Sequence, residues 1–276
     1  MSSYADFIGK TETVQDRCDP RLITGFAATL GIDPPTGAMP PLWHWMLFQD
    51  WKKPDGIGPD GHPKRGGFLP PVHHLARRMW AGGRLTFLAH GIEADDIVTR
   101  RSTILDIQEK KGGSGELVFV TVKHVISGPR GPVLEEEQDI VYRGMEGAAV
   151  KAAPAAPEIP GAVSTTVMPD SLMLFRYSAL TGNGHRIHYD YPYVTGEEGY
   201  PGLVVHGPLQ ATFLAAHALA IAGAGAKLAK FSFRGQRPAF DGRTLTVLGT
   251  LDGKAAKLET RDLDGATCMK AEATLA

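Results

Sequence analysis

The chain has 276 residues, of which 43% are hydrophobic and 21% charged, a composition that supports a buried core and argues against disorder. Its formal net charge is −1, and Lys and Arg form no long block, so nucleic-acid and anionic-membrane partners gain little support. The N-terminus lacks the apolar run of a secretory signal, and no stretch approaches the ~18 apolar residues of a membrane span. Cys18 and Cys268 fit neither a disulfide scaffold nor a metal motif, so we expect a soluble, cytoplasmic protein with reduced thiols.

The first half of the chain predicts two helices followed by four strands. The first helix is expected at residues 21–30 and the second, more apolar one within residues 42–51. A Gly/Pro-rich segment at residues 54–71 is predicted to be an exposed loop. Alternating and β-branched runs then predict strands at residues 84–91, 97–110, 116–127 and 133–143.

Residues 144–161 form the clearest boundary in the chain. They are rich in Ala, Pro and Gly and contain few large apolar side chains, which suits an extended linker between domains. We therefore predict a first domain at residues 1–143, a linker at residues 144–160 and a second domain at residues 161–276.

The second half repeats the pattern of the first. Helices are expected at residues 171–181 and 208–222, and strands at residues 228–240, 244–251, 256–262 and 266–274. A helix, a longer helix and a strand meander, occurring twice, predict an α+β fold in which antiparallel strands wrap one central helix per half.

Functional side chains are densest between the two helices of the second half. The sequence there reads GNGHRIHYD at residues 182–190 and GYPGLVVHGP at residues 199–208. The glycines indicate a loop that leaves a helix. Pro208 suits the first turn of the next helix, where its missing N–H loses no hydrogen bond.

The string SALTGNGHRIHYD, together with GYPGLVVHGPL, resembles the signature of the MaoC-type hydratases and dehydratases (the hydratase 2 group). The similarity is to the branch with an N-terminal dehydratase-like domain, which includes mitochondrial-type 3-hydroxyacyl-thioester dehydratases and mesaconyl- and itaconyl-CoA hydratases. The resemblance extends over both halves. It implies a double hot-dog fold with a degenerate first domain, and reversible hydration or dehydration of an α,β-unsaturated acyl thioester without cofactor or metal.

This sequence departs from the family's pattern at two positions. Asn183 stands where the family usually has Asp, and His185 where it usually has Asn. Because an amide cannot abstract a proton, the family's pair of acid/base residues cannot be carried over unchanged. We expect His188 to be the main acid/base, since imidazole exchanges protons near neutrality. Asn183 would then orient the water, with His185 as an auxiliary base or orienter.

The amino end of the second helix is the candidate oxyanion site. Backbone N–H groups around Gly207 can stabilise the charge that develops on a thioester oxygen. His206 either contributes to this thioester site or caps the helix and packs. The other expected substrate contacts are Tyr189, Arg186, Tyr200 and Trp80, the last within an element at residues 78–83 that either borders the acyl tunnel or forms a tight turn.

The acyl group is indicated by the resemblance alone. A CoA thioester of a short branched dicarboxylate, such as mesaconyl-C4-CoA or itaconyl-CoA converted to citramalyl-CoA, would need a cation for its free carboxylate. The candidates are Arg78, Arg84, Arg176, Arg186 and Arg234. Dehydration of a 3-hydroxyacyl group on acyl-carrier protein is the alternative.

Other interpretations stay open at this point. Asn183 in place of the usual acid would suit a non-catalytic acyl-CoA sensor, and hot-dog folds also serve thioesterases. His185, His188 and Asp190 are spaced so that they could bind a metal, although the resembling family uses none. Two such domains can pair within one chain, so a monomer is possible, and we expect a homodimer.

Overall fold

The computed structural model describes residues 4–112, 115–144 and 152–276. Its helices are α1 Pro20–Leu30, α2 Ser171–Thr181, α3 Tyr191–Gly196 and α4 Gly207–Ala222, with short 3-10 turns at Ala5–Phe7, Trp43–Met46, Pro54–Gly56 and Arg186–His188. The strands are β1 Thr11–Arg17, β2 Arg77–Phe87, β3 Ile97–Gly112, β4 Gly115–Gly128, β5 Gly131–Arg143, β6 Val163–Val167, β7 Leu228–Gly235, β8 Leu245–Asp252, β9 Ala255–Arg261 and β10 Thr267–Leu275.

The ten strands that the structure describes form one antiparallel sheet in the order β1-β3-β4-β5-β2-β7-β10-β9-β8-β6. The α+β class is therefore confirmed, with the strands of the two halves joined in a single sheet. The junction is β2 against β7, in register from Gly82 opposite Arg234 to Thr86 opposite Lys230. This pairing leaves β1 and β6 as the outer strands of the sheet.

In the second half, α4 is the predicted central helix. Its buried side chains include Leu209, Leu214 and Ala218, each 0% exposed, and it packs against β7, β8, β9 and β10. The buried polar Gln210 is satisfied because its side-chain oxygen accepts a hydrogen bond from the Thr260 hydroxyl at 2.8 Å. α4 thus fills the core of this half and presents its amino end to the loop that follows α2.

The first half has no central helix in the part of the chain that the structure describes, so the helix predicted within residues 42–51 is wrong. Only Trp43–Met46 forms a single 3-10 turn. Leu42 before it and Phe48 after it have φ of 72° and 60°, and such left-handed backbone interrupts a right-handed helix.

The segment predicted to be an exposed loop, residues 54–71, instead begins a stretch that covers the sheet. Val72 and Leu75 are buried against β3, β4 and β5, and Phe68 and Leu69 pack at the edge of the same cluster. Gly and Pro make this backbone irregular without making it exposed. The prediction was wrong because composition reports local conformation and not burial.

The element at residues 78–83 is not a turn but lies within β2, which begins seven residues earlier than predicted. A bulge falls between Trp80 and Gly82. A Cβ atom on Gly82 would lie 2.5 Å from the carbonyl oxygen of Phe233, and one on Gly83 would lie 2.9 Å from that of Glu137. These glycines therefore allow neighbouring strands to approach closely at the junction of the halves.

The remaining predicted elements agree with the structure to within a few residues, except that β7 ends at Gly235 and not at residue 240. The predicted linker at residues 144–160 falls partly outside the described residues, which leave out residues 145–151. Among the helices described, none has the length and apolar character needed to span a membrane.

Candidate active site

The loop after α2 is shaped by its own sequence. α2 ends at Gly182, whose φ of 62° is accessible to glycine at little cost. The side-chain oxygen of Asn183 then accepts a hydrogen bond from the backbone N–H of His185 at 3.0 Å, which starts the turn into Arg186–His188. Since the amide oxygen of Asn183 is engaged in this way, its NH2 group is the part that can orient a water.

His188 lies at the centre of the candidate site and is only 7% exposed. Its Nδ1 lies 2.7 Å from the carbonyl oxygen of Val204. A carbonyl only accepts hydrogen bonds, so Nδ1 carries the proton and Nε2 keeps its lone pair. Burial lowers the pKa of His188 to about 4, although the bond to Val204 acts in the opposite direction. His188 is therefore a neutral imidazole with a free basic nitrogen.

His206 stacks on His188, with ring centroids 3.7 Å apart and ring planes 17° apart. It occupies the N-cap position of α4, yet its side chain makes no capping hydrogen bond and instead lies 2.9 Å from the Ser178 hydroxyl. Burial, followed by the neighbouring His188, lowers the pKa of His206 well below its ordinary value. The structure supports packing and not capping for this residue.

His185 links the site to the first half of the chain. Its ring meets His188 edge-on at 5.5 Å and lies against the ring of His62 at 4.1 Å. His62 in turn has its Nδ1 2.9 Å from a carboxylate oxygen of Asp60. Burial, and next the nearby His62, lower the pKa of His185 to about 2.

Asp60 and His62 were missed by the sequence analysis. They lie in the segment interpreted as an exposed loop, and no spacing rule connects them to the histidines of the second half. The backbone joins the two regions directly, because the Arg186 N–H donates to the carbonyl of Asp60 at 2.9 Å and its guanidinium donates to the carbonyl of Pro59 at 2.9 Å.

The four side chains expected to contact the substrate differ in their exposure and in their partners. Arg186 is paired with Asp190, with 2.9 Å from Nε to the carboxylate, so its charge is already neutralised. Tyr189 is 43% exposed, and its hydroxyl donates to the carbonyl of Gly184 at 2.8 Å. The other two lie farther into the fold: Tyr200 packs near Phe240, and Trp80 packs against Trp45 and Phe233.

Of the five candidate arginines, Arg78 is the one that lies near the histidines without a carboxylate partner among the described residues. Arg84 is bound by Glu137 and Asp139, and Arg176 and Arg234 are exposed at the surface. Arg78 is half-buried on β2 opposite the buried Tyr142, and it forms no ion pair with any residue that the structure describes. Its positive charge contributes to lowering the pKa values of His62 and His185, where burial is the largest cause.

The described residues do not bring His185, His188 and Asp190, the alternative metal set, together. Asp60, His62 and His185 instead offer ligand atoms within 4.8 Å of one another. Hydrogen bonding accounts for this group without an ion, because the two carboxylate oxygens of Asp60 accept from Nδ1 and from the backbone N–H of His62. A cation would have to displace the shared proton.

Gly207 begins α4 directly beside this histidine cluster. Its backbone N–H is at the amino end of the helix, where the first N–H groups have no partner within the helix and favour negative charge. A buried neutral imidazole beside such a helix end can remove a proton from water while the helix end stabilises an oxyanion.

Comparison with known proteins identifies the family and the fold. The family model for hydroxyacyl-thioester dehydratase type 2 matches residues 42–241. A mesaconyl-C(4)-CoA hydratase of Chloroflexus aurantiacus is 44% identical over 286 aligned positions, covering 100% of this chain and 99% of the relative.

Two solved structures share the fold. A MaoC-like dehydratase of Phytophthora capsici has a TM-score of 0.72 at 14% identity, covering 100% of this chain and 98% of its own. A Mycobacterium tuberculosis protein described as a double hotdog has a TM-score of 0.60 at 12% identity, covering 98% of this chain and 96% of its own. These likenesses confirm the predicted double hot-dog fold. Together with the family match and the full-length relative, they lead to one conclusion: the chain belongs to the hydroxyacyl-thioester dehydratase type 2 family.

Proposed function

We propose that this protein catalyses the reversible addition of water to an α,β-unsaturated acyl thioester, with His188 as the acid/base. The observation that carries the proposal is the fixed tautomer of His188. Its Nδ1–H is held by the carbonyl of Val204, so the lone pair of Nε2 is available to a water at the amino end of α4.

The chemistry balances with this one imidazole. His188 Nε2 accepts a proton from water as the water oxygen bonds to the β-carbon, and the electron pair of the double bond moves toward the thioester oxygen. The resulting imidazolium returns its proton to the α-carbon as the carbonyl re-forms. The backbone N–H at Gly207 stabilises the enolate-like oxygen, and one such donor contributes about 3 kcal/mol to the transition state. Asn183 and His185 orient the water.

We propose a short branched dicarboxylyl-CoA as the substrate, with mesaconyl-C4-CoA or itaconyl-CoA hydrated to citramalyl-CoA. The full-length similarity to a mesaconyl-C(4)-CoA hydratase supports this choice. Arg78 supplies a fitting cation, since it lies near His62 and His185 and has no carboxylate partner among the described residues. A guanidinium binds a carboxylate through two parallel hydrogen bonds.

We assign Tyr189, Tyr200 and Trp80 to the acyl groove and Arg186 to holding the loop. Dehydration of a 3-hydroxyacyl thioester on acyl-carrier protein is the second candidate; the description of the matching family supports dehydration of a hydroxyacyl thioester and names no carrier. We also propose a cytoplasmic homodimer without nucleic-acid or membrane partners. The net charge of −1 supports this, as do the outer edges of β1 and β6, which pair with no strand that the structure describes.

The test is the absorbance of the enoyl thioester with mesaconyl-C4-CoA, itaconyl-CoA and crotonyl-CoA, alongside detection of free thiol with Ellman's reagent. Loss of absorbance without thiol is expected. Thiol release would instead make the protein a thioesterase, and binding without turnover of CoA or carrier-protein thioesters would make it a sensor.

The assignment of His188 has a matched control in the same half. His217 is also a buried histidine whose ring contacts a backbone carbonyl, that of Val163 at 3.0 Å. We expect His188→Asn to lower kcat by about 100- to 10,000-fold and His217→Asn to retain turnover, with thermal midpoints recorded for both. A folded His188→Asn variant that hydrates at the normal rate would refute the assignment.

A further inference from the structure

The site described above lacks one element of its family's pattern. Asn183 occupies the position of the usual carboxylic acid, and His185 is the titratable group beside it. A ring that orients the reacting water must itself be held in one orientation. Yet the His185 ring makes no side-chain hydrogen bond to any residue that the structure describes, so its orientation depends on the groups packed against it.

Two rings hold His185 in place. His188 meets it edge-on at 5.5 Å, and His62 covers it at 4.1 Å with ring planes 36° apart. His62 belongs to the first half of the chain. The first half of the chain therefore supplies one of the two ring contacts that fix His185.

His62 is itself locked by Asp60. One carboxylate oxygen lies 2.9 Å from His62 Nδ1, and the other accepts the backbone N–H of His62 at 3.1 Å. Burial raises the pKa of the Asp60 carboxyl, but the hydrogen bonds and charge of His62 outweigh this and hold it well below its ordinary value. Asp60 is thus a carboxylate that fixes both the tautomer and the rotamer of His62.

The backbone holds this pair against the second half. The Gly58 N–H donates to the carbonyl of His62 at 2.7 Å, which closes the turn, and the carbonyl of Asp60 accepts the N–H of Arg186. A Cβ atom on Gly184 would lie only 2.6 Å from the carbonyl oxygen of Gly61. The contact between His62 and His185 is therefore fixed by the backbone contacts between the loops that carry these two residues.

We propose that Asp60 and His62 are positioning residues of the active site, which hold the His185 ring in the orientation from which it positions the reacting water beside His188. The inference rests on the proposed hydratase function and extends it, because it gives the first half a part in catalysis beyond binding the acyl group. It also explains why a chain without the usual acid keeps a second imidazole in the site.

The experiment compares His62→Asn and Asp60→Asn with the control His73→Asn in steady-state hydration of mesaconyl-C4-CoA or, if it is faster, crotonyl-CoA. His73 follows the same segment and is exposed. We expect kcat to fall by about 10- to 100-fold in the first two variants with KM changed less than about threefold, and no change in the control. Thermal midpoints identify any variant that fails to fold. If His62→Asn does not fold, the test rests on Asp60→Asn, which keeps the size and shape of the side chain.

A double-mutant cycle separates positioning from a general structural effect. If His62 acts through His185, then His62→Asn lowers kcat in the wild-type background but has no further effect in a His185→Asn background. Independent, multiplied losses, or an unchanged kcat in His62→Asn and Asp60→Asn, would overturn the inference. Failure of the wild-type protein to hydrate any thioester would instead refute the proposed function.

Discussion

Gly61 of the first half and Gly184 of the second approach each other so closely that neither position has room for a side chain. A Cβ atom on Gly61 would overlap the carbonyl oxygen of Gly184, and the φ of Gly61 is +87°. This contact sits between His62 and His185, so it sets the distance between the two rings. The separation of the loops is therefore controlled by two residues that carry no functional group.

Replacing Gly61 with Ala should force these loops apart. Gly67→Ala is the matched control, because Gly67 has a similar φ of +77° but nothing within 4 Å of its Cβ position. Both variants should lose about 1–2 kcal/mol from the strained backbone. Only Gly61→Ala is expected to lower kcat, measured in the hydration assay alongside thermal unfolding. Equal activity in the two variants would show that the close approach is not needed.

Replacing Arg78 with Met should change which substrate is preferred. We expect kcat/KM for mesaconyl-C4-CoA to fall by about 10- to 100-fold, since a hydrogen-bonded charge is lost, while crotonyl-CoA, which has no free carboxylate, is hydrated as before. Arg176→Met removes an exposed arginine of α2 and serves as the control. A similar loss for both substrates would mean that Arg78 supports the fold and does not recognise the carboxylate.

The buried histidines predict a loss of stability in mild acid. Burial lowers the pKa values of His124 and His188 to about 4, whereas histidine in an unfolded chain titrates near 6.5. Between these values the unfolded state binds protons that the folded state does not, so unfolding becomes more favourable as the pH falls. The free energy of unfolding should drop by on the order of 2 kcal/mol per histidine between pH 7.5 and 5.

Urea unfolding at several pH values measures this dependence. In a His124→Asn variant the dependence should be shallower, because one of the buried histidines with a lowered pKa is gone. A free energy of unfolding that stays level from pH 7.5 to 5 would show that these histidines are protonated as easily in the folded protein as in the unfolded chain.

Removal of metal should leave the enzyme active. Asp60, His62 and His185 could in principle share an ion, but the carboxylate of Asp60 is already engaged with His62. We expect dialysis against EDTA to leave kcat unchanged, with metal content followed by elemental analysis. Activity that is lost on dialysis and restored by Zn²⁺ would assign a metal to this group.

The parts of the fold that were predictable are those whose signals are local. α2 and α4 follow from apolar runs that end at Gly182 and begin at Pro208, and eight of the ten described strands follow from alternation and turn residues, whereas β1 and β6 were not predicted. The three histidines His185, His188 and His206 come together as expected because one loop and one helix end carry them all.

What sequence reasoning could not reach depends on contacts between distant segments. The contact of His62 with His185 joins the two halves, and no period or motif encodes it. Gly82 was interpreted as part of a turn or tunnel, whereas the backbone of Phe233 on the neighbouring strand is what requires it. The left-handed backbone at Leu42 likewise prevents the helix that the apolar run within residues 42–51 predicts.

The two halves share a single sheet through β2 and β7 but belong to one chain, so their sequences can differ. In a symmetric pair of identical subunits they cannot. In such a pair every substitution is made twice, so a change that suits one site is imposed on the other. Here the two halves differ in sequence while sharing one sheet, and each can specialise. One half contains the central helix α4, and the other, in which the described residues form no such helix, instead extends a loop whose His62 contacts His185 of the second half.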